Sequence, residues 1–519
     1  MFAAAVLCAA SSCDKSGISA GVGGSQAEVP VEHGEIVLGQ QLENPYSLEN
    51  VKAAVKSVYP NRRVDDIVHV TDLYVRFLPS SDSELSVLKG MCDKLMDHPL
   101  DFEIMREGDF YHDKTINDDE ITWQYAVVPA DFKFPPIAYE ILEDCCIIDS
   151  TDDTKAVPGV DWDAVEEEAY RLSGNGGMVS AGTKGSGSVN PSGRITIVDD
   201  NANGGQPFGV AGVEVQCNAF VKFSSTYTDR DGYYEIPKKF TANPRYRLVF
   251  SNSKGFGIGL NTILFPASVS TLGRNSPEGV SIQIDHTSDR KMFRRSVVNN
   301  AVYDFIERCS YDDLDITAPA SNLRIWMFDS FDASSAVMLH HGTVLDAESS
   351  KTLFKIVSAI VTFFSPDITI GSKNLDTYKD IYLTTVHELA HASHFAKVGK
   401  EYWDKYIIYI ASCALRGQDM YGDGSLNNAG CCAVGEMWAY YMENRFSRDR
   451  YGEYGQNYGS SYWFHPQILT YLEERGLTAS QIFAALDADV TDTSVLKERL
   501  IELNPSSKTS INQIFNRYE

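Results

Sequence analysis

Val386-His387-Glu388-Leu389-Ala390-His391-Ala392 is the stretch on which the reading of this chain turns. It lies in an apolar, helix-forming run, predicted to begin near Asp376 or Thr377 and to stop at Gly399, where glycine ends the helix. Two histidines four residues apart stand one turn apart on one helix face. Both imidazoles can therefore reach a single metal ion. Glu388 sits beside the first histidine, placed to take a proton from a water held at that ion.

A catalytic metal site needs a third protein ligand and an open position for water. His394 shares the face of His387 and His391, but it stands about 10 Å along the helix axis from His387, too far for three rings to meet easily. Packing or support is its expected role. Further on, Ala433-Val434-Gly435-Glu436-Met437-Trp438-Ala439 puts a carboxylate into an otherwise apolar helix. Such a carboxylate is costly unless it is paired or bound to metal. Glu436 follows His391 by 45 residues, which leaves room for the chain to return.

Together these residues resemble a zincin metallopeptidase, and within that class the gluzincin branch, in which a glutamate from a later helix completes the site. The longer metzincin pattern is not met, because His394 and Lys397 stand where its glycine and third histidine belong. The resemblance implies Zn2+ held by His387, His391 and Glu436, and peptide-bond hydrolysis with Glu388 as general base. It also implies a donor for the oxyanion. His465, in Tyr462-Trp463-Phe464-His465-Pro466, is one candidate; Tyr440, Tyr441 and Tyr462 are rivals. Tyr440 falls one turn after Glu436, where gluzincins often carry an aspartate that supports a ligating histidine. Zincins also run an edge strand beside the cleft, on which an extended peptide pairs. Residues 336–339 and 367–370 both satisfy that role. Residues 351–364 read as a buried apolar helix stopped by Pro366.

Residues 193–285 are strand-rich. The order Gly212-Val213-Glu214-Val215, then Thr228-Asp229-Arg230-Asp231-Gly232-Tyr233-Tyr234, then Tyr246 to Phe250, resembles a carboxypeptidase regulatory-like domain. That implies a small transthyretin-like β-sandwich without catalysis. The Asp229–Asp231 pair reads as a turn stabiliser rather than a calcium site. Residues 41–172 read as a mixed α/β domain: helices over 47–58, 81–96 and 161–172, strands over 71–78 and 121–128, and a helical turn at Tyr139 to Leu142. Residues 173–192 are a Gly/Ser-rich linker. The expected fold class is thus multidomain α+β, with the small α/β domain, the sandwich, and a zincin-like domain over 290–519.

Residues 1–13 end in Ser11-Ser12-Cys13 after a small apolar run and resemble the end of a bacterial lipoprotein signal. Cys13 is then the lipid site and 14–40 a tether. The implied location is the bacterial cell envelope, as an exported outer-membrane lipoprotein that meets the membrane through its N-terminal lipid only. Across 519 residues the net charge is -26. So acidic a surface repels nucleic acid and anionic headgroups, leaving a peptide or protein substrate as the expected partner of a monomer. Among ten cysteines, export would allow a bridge from Cys413 to Cys431 or Cys432. Two other functions share the motif: a noncatalytic surface binding lipoprotein with a degenerate peptidase domain, and a zinc hydrolase of a non-protein substrate. The intact Glu388 speaks against the first, since a pure binding site has no use for that base.

Overall fold

A computed structural model of the chain describes residues 35–108, 110–117, 120–147, 157–179, 190–259, 267–310, 314–329, 332–342, 366–455, 458 and 461–518. Cys13, the 14–34 part of the tether, residues 180–189 of the Gly/Ser linker and the helix expected over 351–364 lie outside them.

The N-terminal region runs β1 (Val37–Gln41), α1 (Leu48–Val58), β2 (Asp72–Leu78), α2 (Asp82–Met91), β3 (Phe102–Arg106), β4 (Gln124–Pro129), β5 (Ala138–Cys145) and α3 (Trp162–Leu172). Each helix begins where a side chain accepts a free backbone N–H: Ser47, Ser81 and Asp161. β2 is the centre of an antiparallel sheet ordered β4-β2-β5, while β1 pairs with β3. The helical turn expected at Tyr139 to Leu142 is instead part of β5. Its Tyr139 pairs with Phe77 and Ile141 with Val75 along the open side of β2. A four-residue apolar spacing cannot distinguish the two states, and the unpaired sheet edge decides it.

β6 (Ser192–Ile197), β7 (Phe208–Gly209), β8 (Val213–Ala219), β9 (Lys222–Tyr227), β10 (Tyr233–Glu235), β11 (Arg245–Asn252), β12 (Gly257–Gly259), β13 (Val269–Arg274) and β14 (Ile282–Ile284) follow. β10-β6-β14, with β7 on β6, make one sheet, and β8, β9, β11 and β13 belong to another. Ile195, Tyr234, Val215, Leu248 and Phe250 share a core. The Asp229 carboxylate accepts the N–H groups of Asp231 and Tyr233, both at 2.9 Å, so it closes the turn. Gly232 there has φ 79°, and a Cβ on it would stand 2.0 Å from the Ile195 carbonyl oxygen. Only glycine fits.

The C-terminal part contains α4 (Arg290–Ser310), β15 (Arg324–Phe328), β16 (Ser335–Ala336), β17 (Ile368–Gly371), α5 (Tyr378–Val398), α6 (Lys400–Leu415), α7 (Ala429–Tyr451), α8 (Gln467–Glu474), α9 (Ala479–Ala484), α10 (Thr493–Leu503) and α11 (Lys508–Phe515). β12 pairs antiparallel with β11 and parallel with β15, so one sheet runs β16-β17-β15-β12-β11-β8-β9 from the C-terminal part into the strand-rich region. Among the described residues β16, antiparallel to β17, is its edge. Of the two edge candidates, the one at residue 336 therefore holds the edge and the one at 368 lies inside.

α5 is the centre of this part, packed against α4 and α7. It is buried on almost every side, which its apolar composition requires. α4 also reaches the strands: Asn299 and Asn300 donate to the Ala211 and Gly209 carbonyls at 2.9 Å each. The bridge expected at Cys413 is not formed. Cys413, Cys431 and Cys432 are all free and buried. The Cys413 sulfur is turned to the loop, where a Cβ on Gly422 would stand 2.6 Å from it. No helix among the described residues is long and apolar enough to cross a membrane.

Candidate metal centre

α5 begins at Thr377, whose hydroxyl accepts the Asp380 N–H at 3.1 Å, and ends at Gly399 with φ 79°. Within it, the His387 and His391 rings lie 4.9 Å apart. α7 is held to the motif by the Trp438 indole, which donates to the Ala390 carbonyl at 3.1 Å. That contact carries Glu436 to the two imidazoles. Its Oε2 is 3.4 Å from His387 Nε2, and its Oε1 is 3.4 Å from His391 Nε2.

This spacing tests the metal directly. Two ligand atoms each about 2.1 Å from a tetrahedral zinc stand about 3.4 Å apart. The two Glu436 separations match that value, each through its own carboxylate oxygen, and the ligand atoms of the three groups all lie within 4.8 Å of one another. His391 adds a second observation. It is buried, its Nδ1 makes no hydrogen bond, and its Nε2 has only the Glu436 carboxylate at 3.4 Å, a contact too long and poorly aligned for a good hydrogen bond. A buried polar group with no partner is costly, and a cation between the rings and the carboxylate would relieve the cost. The donor set of two imidazoles and a carboxylate fits zinc.

Two further side chains hold the ligands. Glu443, two turns after Glu436, has Oε2 3.1 Å from His387 Nδ1. A proton on Nδ1 shared with that carboxylate leaves Nε2 to face the ion. Tyr406 on α6 donates to Glu436 Oε1 at 2.6 Å. Electrostatics follow from this packing. Burial opposes charge on His387, but Glu436 and Glu443 outweigh it and raise the imidazole to about 9. Burial likewise opposes charge on Glu436, yet His391 and His387 hold it below the usual carboxylate range. Burial lowers His391.

The other expected residues are placed as follows. Glu388 is buried on α5, and its charge acts on His387. The Tyr440 ring stands 4.7 Å from the His387 ring, and its hydroxyl meets the Tyr421 hydroxyl at 3.0 Å. His394 packs against Tyr402 and Trp403, and burial lowers it to about 3, which keeps it neutral. His465 stacks on Tyr518, with ring centroids 4.5 Å apart. Among the described residues none of its contacts is with His387, His391 or Glu436.

Glu443 and Tyr406 escaped the sequence reading. Glu443 had a usable signal, a second carboxylate two turns along the same apolar helix face. Tyr406 had none, because only packing brings α6 to Glu436. No protein family, curated protein or solved structure matches the chain. What the site itself shows is a cluster of His387, His391 and Glu436 that resembles a zincin-type metal-binding arrangement and is consistent with a metallopeptidase-like site.

Proposed function

We propose that this protein is a zinc-dependent peptidase of the gluzincin type. The observation that carries the reading is the pair of 3.4 Å separations from Glu436 to His387 and His391, on a helix that also bears Glu388. Bound there, zinc would supply Lewis acidity to an attacking water and to the scissile carbonyl. Glu388 takes a proton from that water and gives it to the amine nitrogen as the C–N bond breaks. Glu443 keeps His387 in the ligating tautomer and Tyr406 orients Glu436. Tyr440, beside His387, is the better situated of the oxyanion donors, while His465 is engaged with Tyr518. The sheet edge at β16 supports an extended peptide as substrate. The two sheets over 193–285 support a noncatalytic regulatory-like β-sandwich.

Metal analysis and cleavage of a fluorogenic peptide library test the assignment on three proteins. Wild type is expected to hold one zinc and cleave. Glu388→Gln keeps the zinc and loses activity by about 100-fold or more. Glu436→Ala loses affinity for zinc. Normal cleavage by Glu388→Gln, or full zinc affinity in Glu436→Ala, would overturn the reading. Export rests on the small apolar run before Cys13; lipid labelling that persists in Cys13→Ser would remove that part.

A further inference from the structure

β11 alternates. Tyr246, Leu248 and Phe250 are fully buried in the shared core, so Arg245, Arg247 and Val249 point to the opposite face of the sheet. There the 92–98 segment of the N-terminal region covers the sheet and leaves a cavity of about 400 Å³. Arg247 lines it at 4% exposure. A guanidinium carries five N–H groups in a planar fork. Arg247 spends one of them, from Nη1 to Asn218 Oδ1 at 2.6 Å, and makes no other hydrogen bond among the described residues.

Of the four carboxylates lining the cavity, Asp93, Asp97, Glu107 and Glu214, the last three have other partners. Asp97 accepts from the Tyr111 N–H at 2.6 Å and pairs with His98 at 2.8 Å. Glu214 is paired with Lys94, and Glu107 with Arg245. Arg245 and Arg274 face each other across β11 and β13. Burial opposes the charge on Arg247, the Asp97 carboxylate favours it and the Arg274 charge opposes it; the guanidinium is lowered to about 10, still a cation at neutral pH. Of these three arginines only Arg247 is fully buried and lines the cavity; Arg245 is half-buried and Arg274 exposed. A buried cation with idle donors is stabilised by an anion that can take them. The rest of the lining includes Leu95, Met96, Val249, Ala267 and Val269, which suit an apolar body.

We propose that this cavity is a ligand site for a carboxylate borne on an apolar group, with the carboxylate bidentate on Arg247. The shape matches: a planar fork meets a planar acceptor pair, between two domains, where small-ligand sites concentrate. The carboxylate can come from a free small acid or from a peptide C terminus. This site is separate from the metal centre and does not depend on the peptidase reading.

The test is calorimetry on the full chain with phenylbutyrate, its neutral amide, N-acetyl-leucyl-phenylalanine and inorganic phosphate. Saturable binding of one acid per chain is expected, with the amide weaker by about 10- to 100-fold, the loss of one charge-assisted hydrogen-bonded pair. Whichever of the two acids binds more tightly names the source. Arg247→Met abolishes binding, whereas Arg230→Met, at an exposed turn, leaves it intact. Ala267→Phe fills the cavity with Arg247 still present and also abolishes it, a readout that survives if Arg247→Met fails to fold. Three outcomes would overturn the proposal: no saturation by either acid, equal affinity for acid and amide, or phosphate binding as tightly as the acids. Binding unchanged in Ala267→Phe would overturn it too.

Discussion

Glu443 offers the sharpest test of how the metal centre is held. Its carboxylate is buried at 1% exposure and meets His387 Nδ1 at 3.1 Å. Two substitutions separate its charge from its geometry. Glu443→Gln keeps the volume and an acceptor oxygen for the Nδ1 proton, and removes only the charge. Glu443→Ala removes the acceptor as well and leaves a buried N–H without a partner. Loss of a carboxylate behind a ligating histidine typically weakens metal binding by about 10- to 100-fold. That is about 1.4 to 2.7 kcal/mol at room temperature. We expect Glu443→Gln near the lower end and Glu443→Ala near the upper. Glu443→Ala should also lose about 1–3 kcal/mol of metal-free stability, the cost of the stranded donor. Competition against a chromogenic zinc chelator reads the affinity, and denaturant unfolding in the presence of EDTA reads the stability. If both variants bind zinc as tightly as wild type, the hydrogen bond does not orient His387 and the account of the site is wrong.

Three other outcomes follow from the same geometry. His387 is held protonated in the metal-free site, raised to about 9 against the pull of burial, and zinc must displace that proton. Zinc affinity should therefore rise about tenfold per pH unit from 6.5 to 9 and level off above, with about one proton released at pH 7.5, measured by calorimetry in buffers of different ionisation enthalpy. A pH-independent affinity over that window would contradict the assignment. Asp199, fully buried, ties the loop after β6 to the end of α7 through Arg450 at 2.9 Å and Tyr451 at 3.1 Å. Asp199→Ala strands the Arg450 charge and should cost about 3 kcal/mol in urea unfolding, at the low end for a broken buried pair because four aromatic rings still surround that guanidinium. Gly435→Ala should fold with unchanged zinc affinity and gain about 1 kcal/mol. A Cβ there meets Tyr406 at an ordinary 3.5 Å, so that glycine is not what lets the helices approach; a loss of stability would show the contact to be tighter.

Much of the metal centre was legible before any coordinates. The spacing of His387 and His391 settles their shared face by helix geometry alone, and the cost of a carboxylate in an apolar helix singled out Glu436. The same argument extended two turns reaches Glu443. It fails for Tyr406, since an aromatic residue in a buried helix is equally at home as packing, and nothing local marks which hydroxyl finds a ligand. It fails also at His465, where an aromatic loop reads the same whether its histidine faces the site or stacks on Tyr518. At Tyr139 to Leu142 the local pattern favoured a helix, and pairing with β2 overrode it.

What the sequence by itself determined is periodicity and chemistry: two imidazoles on one helix, a carboxylate between them, a second carboxylate that is costly unless paired or metal-bound, and alternating strands over 193–285. Those follow from neighbours within a few residues, whose geometry a helix or strand sets. What only the tertiary structure decided depends on contacts between distant segments. β12 carries one sheet from the strand-rich region to β16, which then becomes the edge. Trp438 brings Glu436 to within 3.4 Å of both histidines. The N-terminal region closes over β11 and leaves Arg247 buried beside a cavity. Each of these is chosen by which apolar faces bury against one another, a global optimum that no single stretch of chain encodes.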